Sequence, residues 1–297
     1  MAEPDLRGRM MRGVFLGAYG RSSVSHIGDL KINPPSANEV IVRIEAAALN
    51  PLDAKIARGD MKDWFPIRFP YVPGTDFAGT IVSVGGGVND FAPGDLVFGR
   101  ANPIAGGALA THIVIDAGRI AHRPASISAE VFACLPTPAG IALRSLDAMT
   151  RAPNETLLVL GSGAVARTAA ALAGNAAYLV NSLDEFTAAP PAKYVFDTFG
   201  GELKQAALER LPEGGEFIGI VSPADDEYAQ RRRIRASFEV LETSKAQLQD
   251  IARRMISGEF QLQPDHVASF DEAALVFDRY VARELAGKVV VNGYPLE

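Results

Sequence analysis

Residues Glu39–Ala48 (EVIVRIEAAA) alternate polar and apolar side chains, the period of a strand with one buried face. Further strands are expected at 79–84, 96–98 and 108–115, with Pro93-Gly94-Asp95 as a tight turn between two of them. The first third of the chain therefore reads as β-rich. From residue 157 the pattern changes. Leu157–Leu160 is a short, wholly apolar run, followed by glycines and an Ala-rich helix over 165–173. Apolar runs recur at 177–181, 194–198 and 217–221, with a helix at 205–211 stopped by Pro212, Gly214 and Gly215. A last strand is expected at 235–241, with Ala236, Phe238 and Val240 on one face, then an amphipathic helix over 244–256. Buried strands alternating with helices predict an α/β fold with a doubly wound parallel sheet. The tail adds a helix at 271–282 and a strand at 288–291, and residues before Met11 read as a loose extension.

Composition narrows the function classes. With 297 residues, 48% of them hydrophobic, the chain can bury two cores. A formal net charge of −6 argues against a general nucleic-acid binder, which needs a basic surface. Arg231, Arg232, Arg233 and Arg235 form the one basic cluster, expected to be a solvated loop, with an anion site as the alternative. Cys134 is the only cysteine, so neither an intramolecular disulfide nor a thiolate zinc site can form, and a reducing cytoplasm fits. The N-terminal arginines precede no apolar stretch, so no signal peptide is expected. Residues 157–180 are apolar for about the length of a membrane span. However, Arg167, Gly161, Gly163 and Gly174 interrupt them, and a buried strand, turn and helix explains the run without a membrane.

The strongest local signal is Gly161-Ser162-Gly163-Ala164-Val165-Ala166, between a strand and a helix, as a dinucleotide turn requires. Gly161 would make the tight turn, Gly163 would let backbone approach a pyrophosphate, and Ala166 would let helix and strand pack closely. The end of the next strand holds Asn181 and Ser182 where NAD enzymes place an acid. Neither repels a 2′-phosphate, so NADPH is weakly favoured over NADH, with Asp184 as the contrary ribose candidate. Phe199 and Gly200, and Val221 and Ser222, at the ends of the two following strands, are further cofactor candidates.

Several motifs together make the chain similar to the medium-chain dehydrogenase/reductase family. They are Asn50-Pro51-Leu52-Asp53 with Gly59, and Val72-Pro73-Gly74-Thr75-Asp76-Phe77-Ala78-Gly79. Phe91-Ala92-Pro93-Gly94-Asp95-Leu96-Val97-Phe98-Gly99, Leu135-Pro136-Thr137 and Gly287-Lys288-Val289-Val290 complete the set. They occur in the family's order over roughly four-fifths of the chain. The resemblance implies a GroES-like β domain over 1–125, rejoined by 262–297, and a reduced Rossmann domain over 126–261. Zinc enzymes of the family carry a cysteine where this chain has Asn50 and a His-Glu pair where it has Thr75-Asp76. With ligands missing, no metal is expected. His26, His112, His122 and His266 are expected at the surface or on edge strands.

The resemblance thus implies the zinc-free, quinone oxidoreductase-like branch, moving hydride from NADPH to a quinone or an activated C=C or C=O substrate. Asn50 is the expected catalytic hydrogen-bond donor, and Asp53 is expected to hold its turn. Three departures stand out. Met61, Trp64 and Phe65 give an apolar lining where enoyl-reductase relatives carry a tyrosine. Ile141 replaces a cofactor-facing threonine, although Thr137 lies close. Residues 182–193 supply too little chain for a full strand–helix unit, so a five-stranded sheet is expected. That shortening keeps a second reading open, a non-redox binding module or repurposed enzyme on the same scaffold. A small-molecule substrate and a homodimer through the 235–241 edge strand are the expected partners.

Overall fold

The computed structural model describes residues 10–20 and 25–295; apart from Met10, the expected N-terminal extension lies outside them. Two compact units result. The first takes in the chain as far as Pro136, Thr243–Ala252 and the stretch from Gln263; the second takes in Thr137–Glu242 and Arg253–Leu262.

The first unit opens with the two-stranded ribbon β1 (Met10–Phe15) and β2 (His26–Lys31). Then come β3 (Glu39–Ala48), helix α1 (Pro51–Arg58), β4 (Asp76–Val84), β5 (Leu96–Arg100), β6 (His112–Asp116), β7 (Ile120–His122) and α2 (Ala129–Ala133). The expected strand at 108–115 is shorter than read, because 108–111 bond across to Val14 and Gly74 through single loop contacts instead of a ladder. Strand β3 is central. It pairs with β4 along one edge, and with β6 over its first half on the other. Gly79 permits this: a Cβ there would lie 2.1 Å from the Arg43 carbonyl oxygen, so only glycine lets β3 and β4 approach.

The second unit holds α3 (Pro136–Asp147), β8 (Leu157–Leu160), α4 (Ala164–Ala173), β9 (Ala177–Val180), α5 (Leu183–Ala188), β10 (Tyr194–Asp197), α6 (Gly201–Arg210), β11 (Glu216–Gly219), α7 (Asp226–Arg232) and β12 (Arg235–Phe238). Its five strands are parallel in the order β12-β11-β10-β8-β9. The sheet is the doubly wound type without the strand that would flank β9. The chain returns from β9 to β10 through α5, a helix too short for sequence periodicity to reveal. Phe186 anchors it, buried against Leu158 and Val195. Strand β12 stops at Phe238 rather than at 241, because its neighbour β11 ends at Gly219 and offers no further partner.

After α8 (Lys245–Ile256), the tail supplies β13 (His266–Ser269), α9 (Ala273–Val281) and β14 (Val289–Asn292). Strand β14 pairs with the end of β3, completing the first unit's seven-stranded sheet. Among the described residues no helix is long and apolar enough to cross a membrane.

Candidate functional site

In the second unit the carboxyl ends of the parallel strands gather most of the expected cofactor residues. Gly161 follows β8 with φ +112, a backbone region that favours glycine, and a Cβ there would stand 2.5 Å from Thr198 Oγ1. The turn is held from both sides, by Gly161 N–H on Val180 O at 2.8 Å and Thr198 Oγ1 on Leu160 O at 2.7 Å. Gly163 is different. It caps α4 at φ −66, and a Cβ on it would meet nothing within 4 Å. Ser162 and Gly163 are exposed, Ala164 and Val165 are half-buried, and Ala166 is fully buried against the strands. The turn therefore leaves free backbone N–H groups at a helix N-terminus facing open space, which suits a phosphate.

At the end of β9 lies a cavity of about 480 Å³ lined by Asn181, Ser182, Leu183, Asp184, Phe199, Glu202 and Leu203. The Ser182 hydroxyl oxygen caps α5 by accepting Glu185 N–H at 3.1 Å and keeps its O–H as a donor. Phe199 and Gly200 are shaped by Asp197. Its Oδ1 accepts both of their N–H groups, at 2.9 and 2.7 Å, while burial raises the carboxyl above its usual range. Val221 packs on Gly200, whose Cβ would come 3.2 Å from Val221 Cγ1. Ser222 is bound by Lys204 Nζ, 3.0 Å from its Oγ. Thr137 is the second residue of α3, one turn ahead of buried Ile141. Sequence reasoning missed Asp197 and Glu202. Asp197 ends β10 and Glu202 lies in the first turn of α6, and an acid within three residues of a glycine turn is the signal that could have found them.

The first unit holds Asn50 in a buried polar cluster. Asn50 is the N-cap of α1 and is 2% exposed. Asp53 Oδ2 accepts the Asn50 backbone N–H at 2.7 Å, so Asp53 holds the turn. Lys288, from the start of β14's segment, donates from Nζ to Asn50 Oδ1 at 2.6 Å and to Leu49 O at 3.3 Å. Asp76 lies 3.8 Å from Lys288 Nζ and 3.8 Å from Arg100 Nε. Lys288 is 3% exposed. Its role was invisible in sequence, although a lysine inside an apolar strand is itself a sign of a buried partner. Asn50 Nδ2 and Asp53 Oδ1 are buried without a partner among the described residues.

Other expectations change. Trp64 is 66% exposed and does not line a buried wall, whereas Met61 and Phe65 pack on the core. His112 lies on β6, a strand paired on one side only, as expected of an edge strand, but its side chain is buried and bonded to Thr111 Oγ1. The basic cluster is not a loop. Its arginines end α7 and start β12, and each binds within the unit: Arg231 to Glu227, Arg232 to Glu209 O, Arg233 to Glu213 and Arg235 to Glu216. Arg231 and Arg233 remain largely exposed beside these carboxylates, so the cluster is solvated, as expected. Cys134 is buried, and burial pushes its thiol up to about 12. Among the described residues no three His, Cys, Asp or Glu are gathered as a metal cluster.

A GroES-like β unit joined to a parallel sheet with a glycine turn defines a class of two-part proteins. Residues 36–125 match the alcohol dehydrogenase GroES-like domain, and residues 176–291 match the zinc-binding dehydrogenase family. The chain belongs to the medium-chain dehydrogenase/reductase superfamily. It is 35% identical over 148 residues to a chloroplastic quinone-oxidoreductase homolog of Spinacia oleracea; the match spans 49% of this chain and 44% of that relative. It is 28% identical to a chloroplastic NADPH-dependent alkenal/one oxidoreductase of Arabidopsis thaliana, covering 87% of this chain and 72% of that one. The quinone oxidoreductase of Coxiella burnetii shares the fold, with TM-score 0.85 and 19% identity over 96% of this chain and 99% of that one.

Proposed function

We propose that this chain is a zinc-independent, nicotinamide-dependent oxidoreductase that passes hydride to a quinone or an activated C=C or C=O acceptor. The observation that carries the reading is the open turn at Gly163, where a Cβ would project into empty space in front of a helix N-terminus. That space fits a pyrophosphate. When bound, the reduced nicotinamide supplies the hydride. Asn50 supplies a hydrogen-bond donor to the acceptor's carbonyl oxygen, where negative charge develops. Two relatives, named as a quinone-oxidoreductase homolog and an alkenal/one oxidoreductase, support the acceptor class.

Zinc does not fit the first unit's polar cluster. The Lys288 ammonium stands beside Asn50 Oδ1 and Asp76, where a metal cation would meet strong repulsion. Metal analysis of dialysed protein should find far less than one zinc per chain.

The cofactor's phosphate is a separate matter. Asn181 and Ser182 alone tolerate a 2′-phosphate, and the Arabidopsis relative is named NADPH-dependent. Yet the cavity beside them also presents Asp184 and Glu202, and neither lysine nor arginine lines it. Two carboxylates oppose an added phosphate, so the weak sequence preference for NADPH reverses to NADH. The remaining partner assignments are a small-molecule acceptor and a second copy of the chain. A reducing cytoplasm is the proposed location, resting on the single buried cysteine.

Titration of NADH and NADPH fluorescence with the purified protein tests the reading, followed by loss of reduced-nicotinamide absorbance on adding quinones and enones. Saturable binding with turnover is expected. No response to either cofactor at millimolar concentration would leave a non-redox role on this scaffold.

A further inference from the structure

We propose that Lys288 is a positioning residue that fixes the side-chain amide of Asn50, so that Nδ2 is the donor left for a ligand. The inference rests on the catalytic role proposed for Asn50, but its geometry stands apart from that role. An asparagine amide can present either its oxygen or its nitrogen to a neighbour, and the two ends look alike in shape. Lysine removes the ambiguity. An ammonium has donors and no acceptor, so the atom 2.6 Å from Lys288 Nζ must be the amide oxygen. The nitrogen then faces away from Lys288.

Two further observations support a ligand for it. Asn50 is 2% exposed, and its Nδ2 has no partner among the described residues. Leaving a buried donor unsatisfied is costly, and such groups are rare unless something else binds them. The backbone around Asn50 is also tied down. Its N–H is taken by Asp53, and α1 starts at the next residue with Pro51. The side chain keeps two torsions, about Cα–Cβ and of the amide, and the Lys288 hydrogen bond to Oδ1 restrains both.

Lys288 is held in turn. Leu49 O takes a second of its hydrogens at 3.3 Å, and Asp76 lies at 3.8 Å as the balancing charge. Lysine's flexible stem is packed in a strand segment whose following residues, Val289, Val290 and Val291, are fully buried. The ligand class that fits the resulting site is a carbonyl or quinone oxygen, an acceptor with no proton of its own to offer.

The test combines kinetics with a readout independent of turnover. Asn50→Ala should lower kcat by about 10²-fold, as loss of a transition-state donor does. Lys288→Met should lower kcat on the order of tenfold, as loss of a residue that orients another does, with KM for the nicotinamide cofactor unchanged. In the double variant the Lys288 change should add nothing, because its effect passes through Asn50. Losses that multiply in the double variant overturn the proposal. Removing one partner of a buried ion pair can unfold a protein, but Asp76 keeps Arg100 at 3.8 Å when Lys288 is neutralised, and Lys288→Leu serves as the second variant. The Asn50 side-chain amide pair, assigned in a 1H–15N spectrum by its loss in Asn50→Asp, supplies the second readout. The pair should shift in the folded Lys288 variants. A pair that stays in place refutes the positioning role. If the wild type turns over no quinone or enone, the functional reading fails, and the spectrum alone still decides whether Lys288 orients Asn50.

Discussion

Asp53 Oδ2 accepts the backbone N–H of Asn50 at 2.7 Å, while its other oxygen is buried with no partner among the described residues. Burial pushes the Asp53 carboxyl up to about 7, opposed by the Asn50 hydrogen bond and reinforced by Asp76. Lys288 and Arg100 act against the rise; the Tyr71 and Tyr280 hydroxyls, raised chiefly by burial, are raised further by the Asp53 charge. The sign of the consequence follows. An unfolded Asp53 titrates near 3.8, so between 3.8 and about 7 the folded chain keeps a proton that the unfolded chain has lost. Stability from this group is full below that window and is lost as pH rises through it. At ~1.4 kcal/mol per pH unit, the loss is at most on the order of 4 kcal/mol. Urea unfolding across pH should show this decline in the wild type and a flatter profile in Asp53→Asn. Parallel profiles would remove Asp53 as the source.

The two glycines of the nucleotide turn should respond in opposite ways. Gly161→Ala places a Cβ 2.5 Å from Thr198 Oγ1 at φ +112. It should destabilise the fold by roughly 1–3 kcal/mol. Gly163→Val sits at φ −66 with nothing within 4 Å. Its melting temperature should stay near wild type while nucleotide affinity drops about tenfold or more, since the side chain fills the space a pyrophosphate needs. Unchanged affinity in a folded Gly163→Val would make the turn structural only.

Much of the second unit is legible in sequence because local signals repeat: an apolar run, small residues, an amphipathic run. The five parallel strands and the glycine turn follow from that. What escaped reading depends on distance or brevity. Asn50 and Lys288 are 238 positions apart, and no local pattern links them. The α6 helix begins at Gly201 instead of 205, because Gly200 and Gly201, at φ +82 and +62, read as breakers yet form the turn that starts it. The β2 strand HIGDLK carries little hydrophobic alternation, and none of its residues is fully buried.

Asp184 and Glu202 should decide which nicotinamide cofactor binds. Wild type should bind NADH more tightly than NADPH. Neutralising both, as Asp184→Asn with Glu202→Gln, should raise NADPH affinity about tenfold, given the modest worth of exposed charge contacts, with little change for NADH. Fluorescence titration measures all four constants. A wild type that prefers NADPH would contradict this assignment of the cavity.

The β12 edge should form the contact with a second copy. Arg235 N–H donates to Gly215 O at 2.8 Å and Glu239 N–H to Gly219 O at 3.0 Å, so alternate residues turn their N–H groups inward to β11. By the two-residue period of a strand, the N–H groups of Ala236 and Phe238 face the open edge. An edge with free donors and acceptors invites pairing, and a two-fold axis would set β12 antiparallel to its own copy. Phe238→Pro removes one outward donor and leaves the inward ladder untouched, which makes it a clean test. Light scattering at micromolar concentration should give twice the chain mass for the wild type and a shift toward the single-chain mass for Phe238→Pro. Circular dichroism should be the same for both. A wild type that stays monomeric at every accessible concentration would end the case for this interface. A Phe238→Pro protein that stays fully dimeric would move the contact elsewhere on the surface.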